Sequence, residues 1–295
     1  MQDKYVGDIG DYFKYGLLRR LQKGKSLGVF WYLFPDEKDK GDGGFVDYLE
    51  KPDQWRRFDP ELFDTLKTLV ETNHRNVASV AQSGVLGDDA LFAYECLRSP
   101  NRPKKANNNW QQIWRKQWFK NGLNYLKHCD LVFADPDNGL CDDDGYEYGQ
   151  KASWKRIPLN EVFTIAKNRT AIIYHHNTRK KGGHEQEIRA WCDKLGSNTI
   201  ALRWRAKTAR TFFIINPKSE TISEAKKFCK DWGEKAEFFQ NADIGWRGFN
   251  PNSSSPPNKN AEKPNHSLKL NNPSSRVRGC LFGGAIGDAL GYKVE

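Results

Sequence analysis

Three stretches of this chain gather side chains able to do chemistry. Asp135-Pro136-Asp137-Asn138-Gly139-Leu140 follows the apolar run DLVFA. Pro136 stiffens that backbone, while Asp135 and Asn138 offer oxygens that can accept hydrogen bonds from an amine edge, which fits substrate positioning. The plainer alternative is an Asx/Pro/Gly turn joining a strand to the next element. A second stretch, 36–44, follows LGVFWYLF and mixes Asp36, Glu37, Asp39 and Asp42 with Gly41, Gly43 and Gly44. It reads either as a cradle for a nucleotide-like cofactor, formed by Asp36, Glu37, Gly41 and Gly43, or as a solvated charged turn. The third, His175-His176-Asn177, leaves the run TAIIY, and His175 is a candidate base or a structural hydrogen-bonder.

These groups can act together only if the backbone brings them to one place. Helical spacing of apolar residues predicts helices over 11–23, 111–127, 158–167, 184–195 and 221–232, with another beginning at Pro60 behind the cap Asp59. Short continuous apolar runs predict strands over 27–34, 77–81, 130–134, 170–174, 199–204 and 211–215. Strands separated by helices imply right-handed crossovers and parallel pairing. The last two strands are too close for a helix between them and should form an antiparallel hairpin. The expected fold is therefore α/β, a doubly wound, mostly parallel sheet with a C-terminal antiparallel hairpin. In such sheets ligands bind beyond the carboxyl ends of the strands, at the switch point. The loops after 27–34 and 130–134 are expected to converge there.

The chain carries 47 Lys and Arg against 37 Asp and Glu, a net charge of +10, which favours a polyanion such as RNA or DNA as partner or else serves solubility. Arg19, Arg20, Lys104, Lys105, Arg115 and Lys116 are the basic candidates near the expected cleft. No apolar run is long enough to span a bilayer and the first residues lack a signal-peptide layout, so the expected setting is cytoplasmic, with no membrane. The six cysteines form no C-x-x-C pair and read as reduced thiols; Cys129, Cys192 and Cys229 fall on apolar stretches, as core residues do. Between residues 251 and 275, seventeen of twenty-five residues are Pro, Asn or Ser. Such a composition buries too little surface to offset its ordering entropy and reads as a linker. Three parts follow: 1–250, an α/β domain; 251–275, a disordered linker; and 276–295, a short glycine-rich helix.

Residues 7–20 (GDIGDYFKYGLLRR) resemble the opening of the bacterial 23S ribosomal RNA large-subunit adenine methyltransferases, and Asp135-Pro136-Asp137-Asn138 stands where that family has its Asp-Pro-Pro-Tyr catalytic loop. The resemblance covers roughly residues 5–217. It implies a Rossmann-like domain that uses S-adenosylmethionine and acts on or binds nucleic acid. It also implies Asp8 and Lys14 on the cofactor side and Asp135, Pro136, Asp137, Asn138 and His175 on the catalytic side. Two departures stand out. Asp137 and Asn138 replace the family's second proline and its base-stacking aromatic, and carboxylates crowd the loop after the first strand. Residues 276–295 (RVRGCLFGGAIGDALGYKVE) resemble the first helix of the ADP-ribosylglycohydrolases. That resemblance implies a hydrolase, cut short here, in which Glu295 serves as catalytic and metal-binding glutamate beside two Mg2+ ions. Two other expectations remain open for the α/β domain. One is a non-catalytic recognition module that delivers the hydrolase. The other is a metal-dependent nuclease or nucleotide-degrading effector of an ADP-ribose-based conflict system.

Overall fold

The computed structural model describes residues 1–37, 43–98, 101–103, 105–178 and 181–240. Gly41, the linker expected over 251–275, and the segment 276–295 with Glu295 lie outside the described residues. Among the described residues the helices are α1 (Ile9–Leu21), α2 (Pro52–Trp55), α3 (Pro60–Glu71), α4 (Val77–Gln82), α5 (Asn108–Tyr125), α6 (Lys151–Trp154), α7 (Leu159–Ala166), α8 (Gly183–Leu195) and α9 (Ser219–Trp232). The strands are β1 (Leu27–Trp31), β2 (Leu91–Ala93), β3 (Leu131–Asp135), β4 (Gly139–Cys141), β5 (Arg156–Pro158), β6 (Thr170–His176), β7 (Thr199–Trp204), β8 (Arg210–Ile215) and β9 (Ala236–Gln240).

Seven strands form one sheet in the order β2-β1-β3-β6-β8-β7-β9, while β4 and β5 pair separately. β2, β1, β3 and β6 are parallel neighbours; β8 is antiparallel to both β6 and β7, and β9 is antiparallel to β7. Five strands thus share one direction, and β8 and β9 oppose it. The expected hairpin is present, with its second strand inserted between β6 and β7.

Strand periodicity divides the core in two. Leu27, Val29 and Trp31 of β1, with Leu131 and Phe133 of β3, pack beneath Phe13 and Leu17 of α1, Leu62 and Leu66 of α3, and Phe228 and Trp232 of α9. Phe30, Val132 and Ala134 face the opposite way, onto Trp118 of α5, Val162 and Ile165 of α7, and Ile188 and Cys192 of α8. Both faces are covered by helices, so the central strands are apolar throughout rather than alternating. Cys129, Cys192 and Cys229 are buried free thiols, as their apolar surroundings suggested.

One expected strand is a helix. Residues 77–81 lie in α4, because the Asn76 side chain caps it by accepting from the Ser79 N–H at 2.8 Å, and Val77 and Val80, three apart, share its buried face. The second strand is instead β2, whose three residues show little periodicity and which pairs along β1 from Gly28↔Leu91 to Phe30↔Ala93. β9, also unexpected, extends the far edge. Among the described residues no helix is long and apolar enough to cross a membrane.

Candidate functional site

The chain runs from β1 outward to β2 and then returns across β1 to β3, so the order of strands reverses between β1 and β3. At that point the carboxyl ends of the two strands open a crevice. Their register, Trp31↔Asp135 at the last pair, brings the loops that follow them to the same edge. A cavity of about 260 Å³ lies there. It is lined from β1's side by Gly43 and Phe45, from β3's side by Asp135, Asp137 and Asn138, and from α1 by Asp11 and Lys14. Tyr174 and His176 of β6, with Thr208 and Arg210 from the β7–β8 turn, complete it.

α1 brings charge into this place because of how it starts. The Asp8 side chain caps the helix by accepting from the Asp11 N–H at 2.9 Å. Asp8, Asp11 and Lys14 then recur every three residues along one buried face. Lys14 Nζ lies 2.7 Å from Asp11 Oδ1 and 2.7 Å from Asp135 Oδ2, so one buried ammonium bridges two buried carboxylates. Asp8 instead pairs with Arg210, at 3.2 Å to Nη1 and 3.0 Å to Nη2. Gly10 leaves the space that this guanidinium occupies, since a Cβ there would collide with it.

These neighbours set the ionisation. Burial would raise the Asp8 carboxyl, but Arg210 and the Asp11 N–H hold it below the usual carboxylate range. Burial pushes the Asp11 carboxyl up to about 6, against the pull of Lys14 and with help from Asp8. Burial opposes the Lys14 charge, yet its two aspartates outweigh that and raise its pKa. The Tyr174 hydroxyl is pushed up to about 12, mainly by burial. Three buried atoms lining the cavity have no hydrogen-bond partner among the described residues: Asp11 Oδ2, Thr208 Oγ1 and Arg210 Nε.

The loop after β3 is more constrained than its composition suggested. Asp137 Oδ2 accepts from Gln2 Nε2 at 2.7 Å and pairs with Lys155 at 3.0 Å. Burial raises its carboxyl, but the Met1 amino group and Lys155 bring it below the ordinary value. Pro136 is buried beside it. The Asn138 N–H donates to Lys155 O at 2.7 Å, while its side chain faces the cavity without a hydrogen bond to a described residue. The Met1 amino group donates to Tyr32 O and Asp135 O, both at 3.1 Å, and so ties the ends of β1 and β3 together.

The loop after β1 divides its roles. Gly43 reaches the cavity with a left-handed backbone, φ +82°. Asp36 accepts from the Lys4 N–H at 3.2 Å, and Glu37 pairs with Lys151 and Lys155, so neither carboxylate lines the cavity.

His175 stands elsewhere. Successive residues of a strand point to opposite faces, so Tyr174 and His176 reach the cavity and His175 does not. The backbone N–H of Leu140 donates to His175 Nδ1 at 3.0 Å, which leaves Nε2 as the N–H that faces Glu187 Oε1 at 3.2 Å. Burial lowers the His175 pKa despite that carboxylate. His175 therefore braces β4 against α8 and reaches no ligand space. Of the basic candidates, Arg115 is buried, its guanidinium held by Glu161 Oε1 at 2.9 Å and Oε2 at 2.7 Å, so it is a core anchor and not a surface contact. Arg19 is paired with Asp59 and Glu61 and Arg20 with Asp231, while Lys104 lies outside the described residues. Among the described residues no group of three or more His, Cys, Asp or Glu side chains could hold a metal ion. Asp11, Thr208, Arg210 and Tyr174 escaped the sequence reading. Only Asp11 left a trace, the period of three in GDIGDYFK.

No protein-family model matches this chain, and no curated protein matches it. Among solved structures it is similar to protein LPL1258 from Legionella pneumophila str. Philadelphia 1, titled with the family model DUF519. The identity is 15% and the TM-score 0.43, over 79% of this chain and 97% of that one. A likeness at this level carries no argument about the site or its chemistry.

Proposed function

We propose that residues 1–250 are a methyltransferase-like domain that binds S-adenosylmethionine in the switch-point cavity and acts on or holds nucleic acid, and that residues 276–295 open an ADP-ribosylglycohydrolase domain. The observation that carries the first part is the set of unpartnered buried atoms in the cavity. A buried polar atom without a partner costs about 1–3 kcal/mol, so such atoms mark where a ligand supplies the partner. Asp11 Oδ2 can accept from an ammonium, while Arg210 Nε and Thr208 Oγ1 can donate to a carboxylate. A free amino-acid group, as on S-adenosylmethionine, carries both. A volume of about 260 Å³ suits that end of the molecule better than the whole of it. Bound there, the cofactor would supply an electrophilic methyl group. Asn138, whose side chain is uncommitted among the described residues, is the acceptor available to hold an amine towards it. The antiparallel β8 between β6 and β7 is in keeping with this reading.

A second reading is favoured by one observation. Lys14 holds Asp135, and Gln2 with Lys155 holds Asp137, so both carboxylates of the 135–138 loop are already spent on ion pairs. That suits a domain that binds without transferring a methyl group. A metal-dependent nuclease finds less support, since a divalent cation between Asp11 and Asp135 would have to displace Lys14. Unfolding of the full chain separates these readings. S-adenosylhomocysteine at a hundredfold its Kd should stabilise by about 2.7 kcal/mol, and Thr208→Val should weaken that effect. No stabilisation by S-adenosylhomocysteine or S-adenosylmethionine, alongside stabilisation by Mn2+ or Mg2+, would overturn the proposal.

A further inference from the structure

Beside the β1 and β3 loops lies a second cavity, of about 240 Å³, that the site above does not use. Its lining includes Arg98, Arg102, Gln111 and Lys151, set against the rings of Phe34 and Trp154, and contains no carboxylate. Neither Arg98 nor Arg102 is ion-paired with any described carboxylate, unlike Arg19, Arg20, Arg56, Arg115, Arg189 and Arg210. The amino end of α5 adds to the positive field. This helix of 18 residues has no acidic residue in its first turn, Gln111 on it lines the cavity, and Gly149 of the cavity wall packs against Asn108 with no room for a Cβ.

The two cavities are linked through α6. Trp154 lines the cationic one, and its neighbour Lys155 pairs with Asp137 of the switch-point site while lying over the Phe34 ring at 5.4 Å.

We propose that this cavity is a phosphate-binding subsite, in which Arg98 and Arg102 take a phosphoryl group and Gln111 and Lys151 flank it. Two guanidiniums without carboxylate partners are the arrangement that recognises phosphate through paired N–H donors. The phosphate is a backbone phosphate of single-stranded nucleic acid, an identity that rests on the nucleic-acid reading above; the anion chemistry itself does not depend on it. A free phosphorylated small molecule would present the same group, so the test carries a probe for each source.

The full chain and its Arg98→Gln/Arg102→Gln variant are titrated with a fluorescent single-stranded oligonucleotide across a salt series, and separately with pyrophosphate. Both arginines lie off the core, so the variant should keep the unfolding midpoint and the S-adenosylhomocysteine response of the wild type. The expected result is weaker oligonucleotide binding and a slope of log K_obs against log[salt] that falls by about 1.4, roughly 0.7 for each lost phosphate contact. If pyrophosphate binding falls and the oligonucleotide slope does not, the subsite stands for a small phosphorylated ligand and the nucleic-acid assignment falls. If the variant matches the wild type with both probes, or the wild type binds neither at low salt, the subsite is refuted. Loss of the S-adenosylhomocysteine response in both proteins would instead count against the proposed cofactor, and leaves the slope comparison intact.

Discussion

Replacing Lys14 by Met removes the one cation that bridges Asp11 and Asp135. Each of its two 2.7 Å contacts is worth roughly 6 kcal/mol of attraction at an effective dielectric of about 20, and desolvation of the three buried ions offsets most of that sum. Removing one partner keeps the desolvation and discards the attraction, so Lys14→Met should cost about 3–5 kcal/mol at about pH 8. For a domain of this size that is a drop of roughly 6–20 °C in Tm. The pH dependence is the sharper test. Burial already lifts the Asp11 carboxyl to about 6, and losing the ammonium lifts it further. A raised carboxyl binds a proton more readily folded than unfolded, so its contribution is fully present at low pH and is lost as pH rises through the folded value. The wild type gains from this only below about pH 6, whereas the variant gains from a higher pH downward. The gap between them should therefore close by about 1.4 kcal/mol for each pH unit from about pH 8 to about pH 6, and hold constant below. Guanidinium unfolding at several pH values measures it. A variant as stable as the wild type at pH 8, or a gap that does not change with pH, would refute the bridging role assigned to Lys14.

Three further outcomes follow from other parts of the molecule. Gly139→Ala should destabilise by roughly 2 kcal/mol or more in thermal unfolding, since φ is +83° there and the new Cβ would press on the Cα and Nδ1 of His175; a neutral or stabilising effect would show that the His175 brace yields easily. Glu187 should contribute to acid resistance. Burial raises its carboxyl, but His175 and Thr178 bring it down to about 2, so its stabilisation is present above its ordinary 4.5 and is lost as pH falls through about 2. Glu187→Gln should then be less stable at neutral pH and approach the wild type in acid, and circular dichroism along an acid titration would expose parallel curves if this is wrong. Limited proteolysis should cut within 251–275, a stretch rich in Pro, Asn and Ser, and leave a fragment of about residues 1–250 with an unchanged Tm; a fragment that fails to fold would overturn the division into parts.

Much of the scaffold is legible in the sequence because its cause is local. Runs such as LGVFW, LVFA and TAIIY are apolar at every position, and only a strand covered on both faces accommodates that. The short spacing between Trp204 and Arg210 leaves no alternative to an antiparallel return. The sequence likewise brings the 36–44 and 135–140 loops to one edge, because crossover handedness follows from the twist of the strands. What it leaves open is decided by partners far along the chain. Lys14 and Asp135 are 121 residues apart and Asp8 and Arg210 are 202 apart, and nothing local to either residue announces its partner. Asp135 reads as a loop carboxylate whose removal should spare the fold. Its burial against Lys14 makes it instead a residue on which the fold depends. The choice between His175 and His176 is a matter of strand phase, set by the register of β6 against β3 and β8. Val77–Gln82 has the β-branched content of a strand, yet Asn76 caps it as a helix and the surface beneath accepts Val77 and Val80 from one face. Intrinsic preference over six residues amounts to a few tenths of a kcal/mol each, and burial of two valines outweighs it.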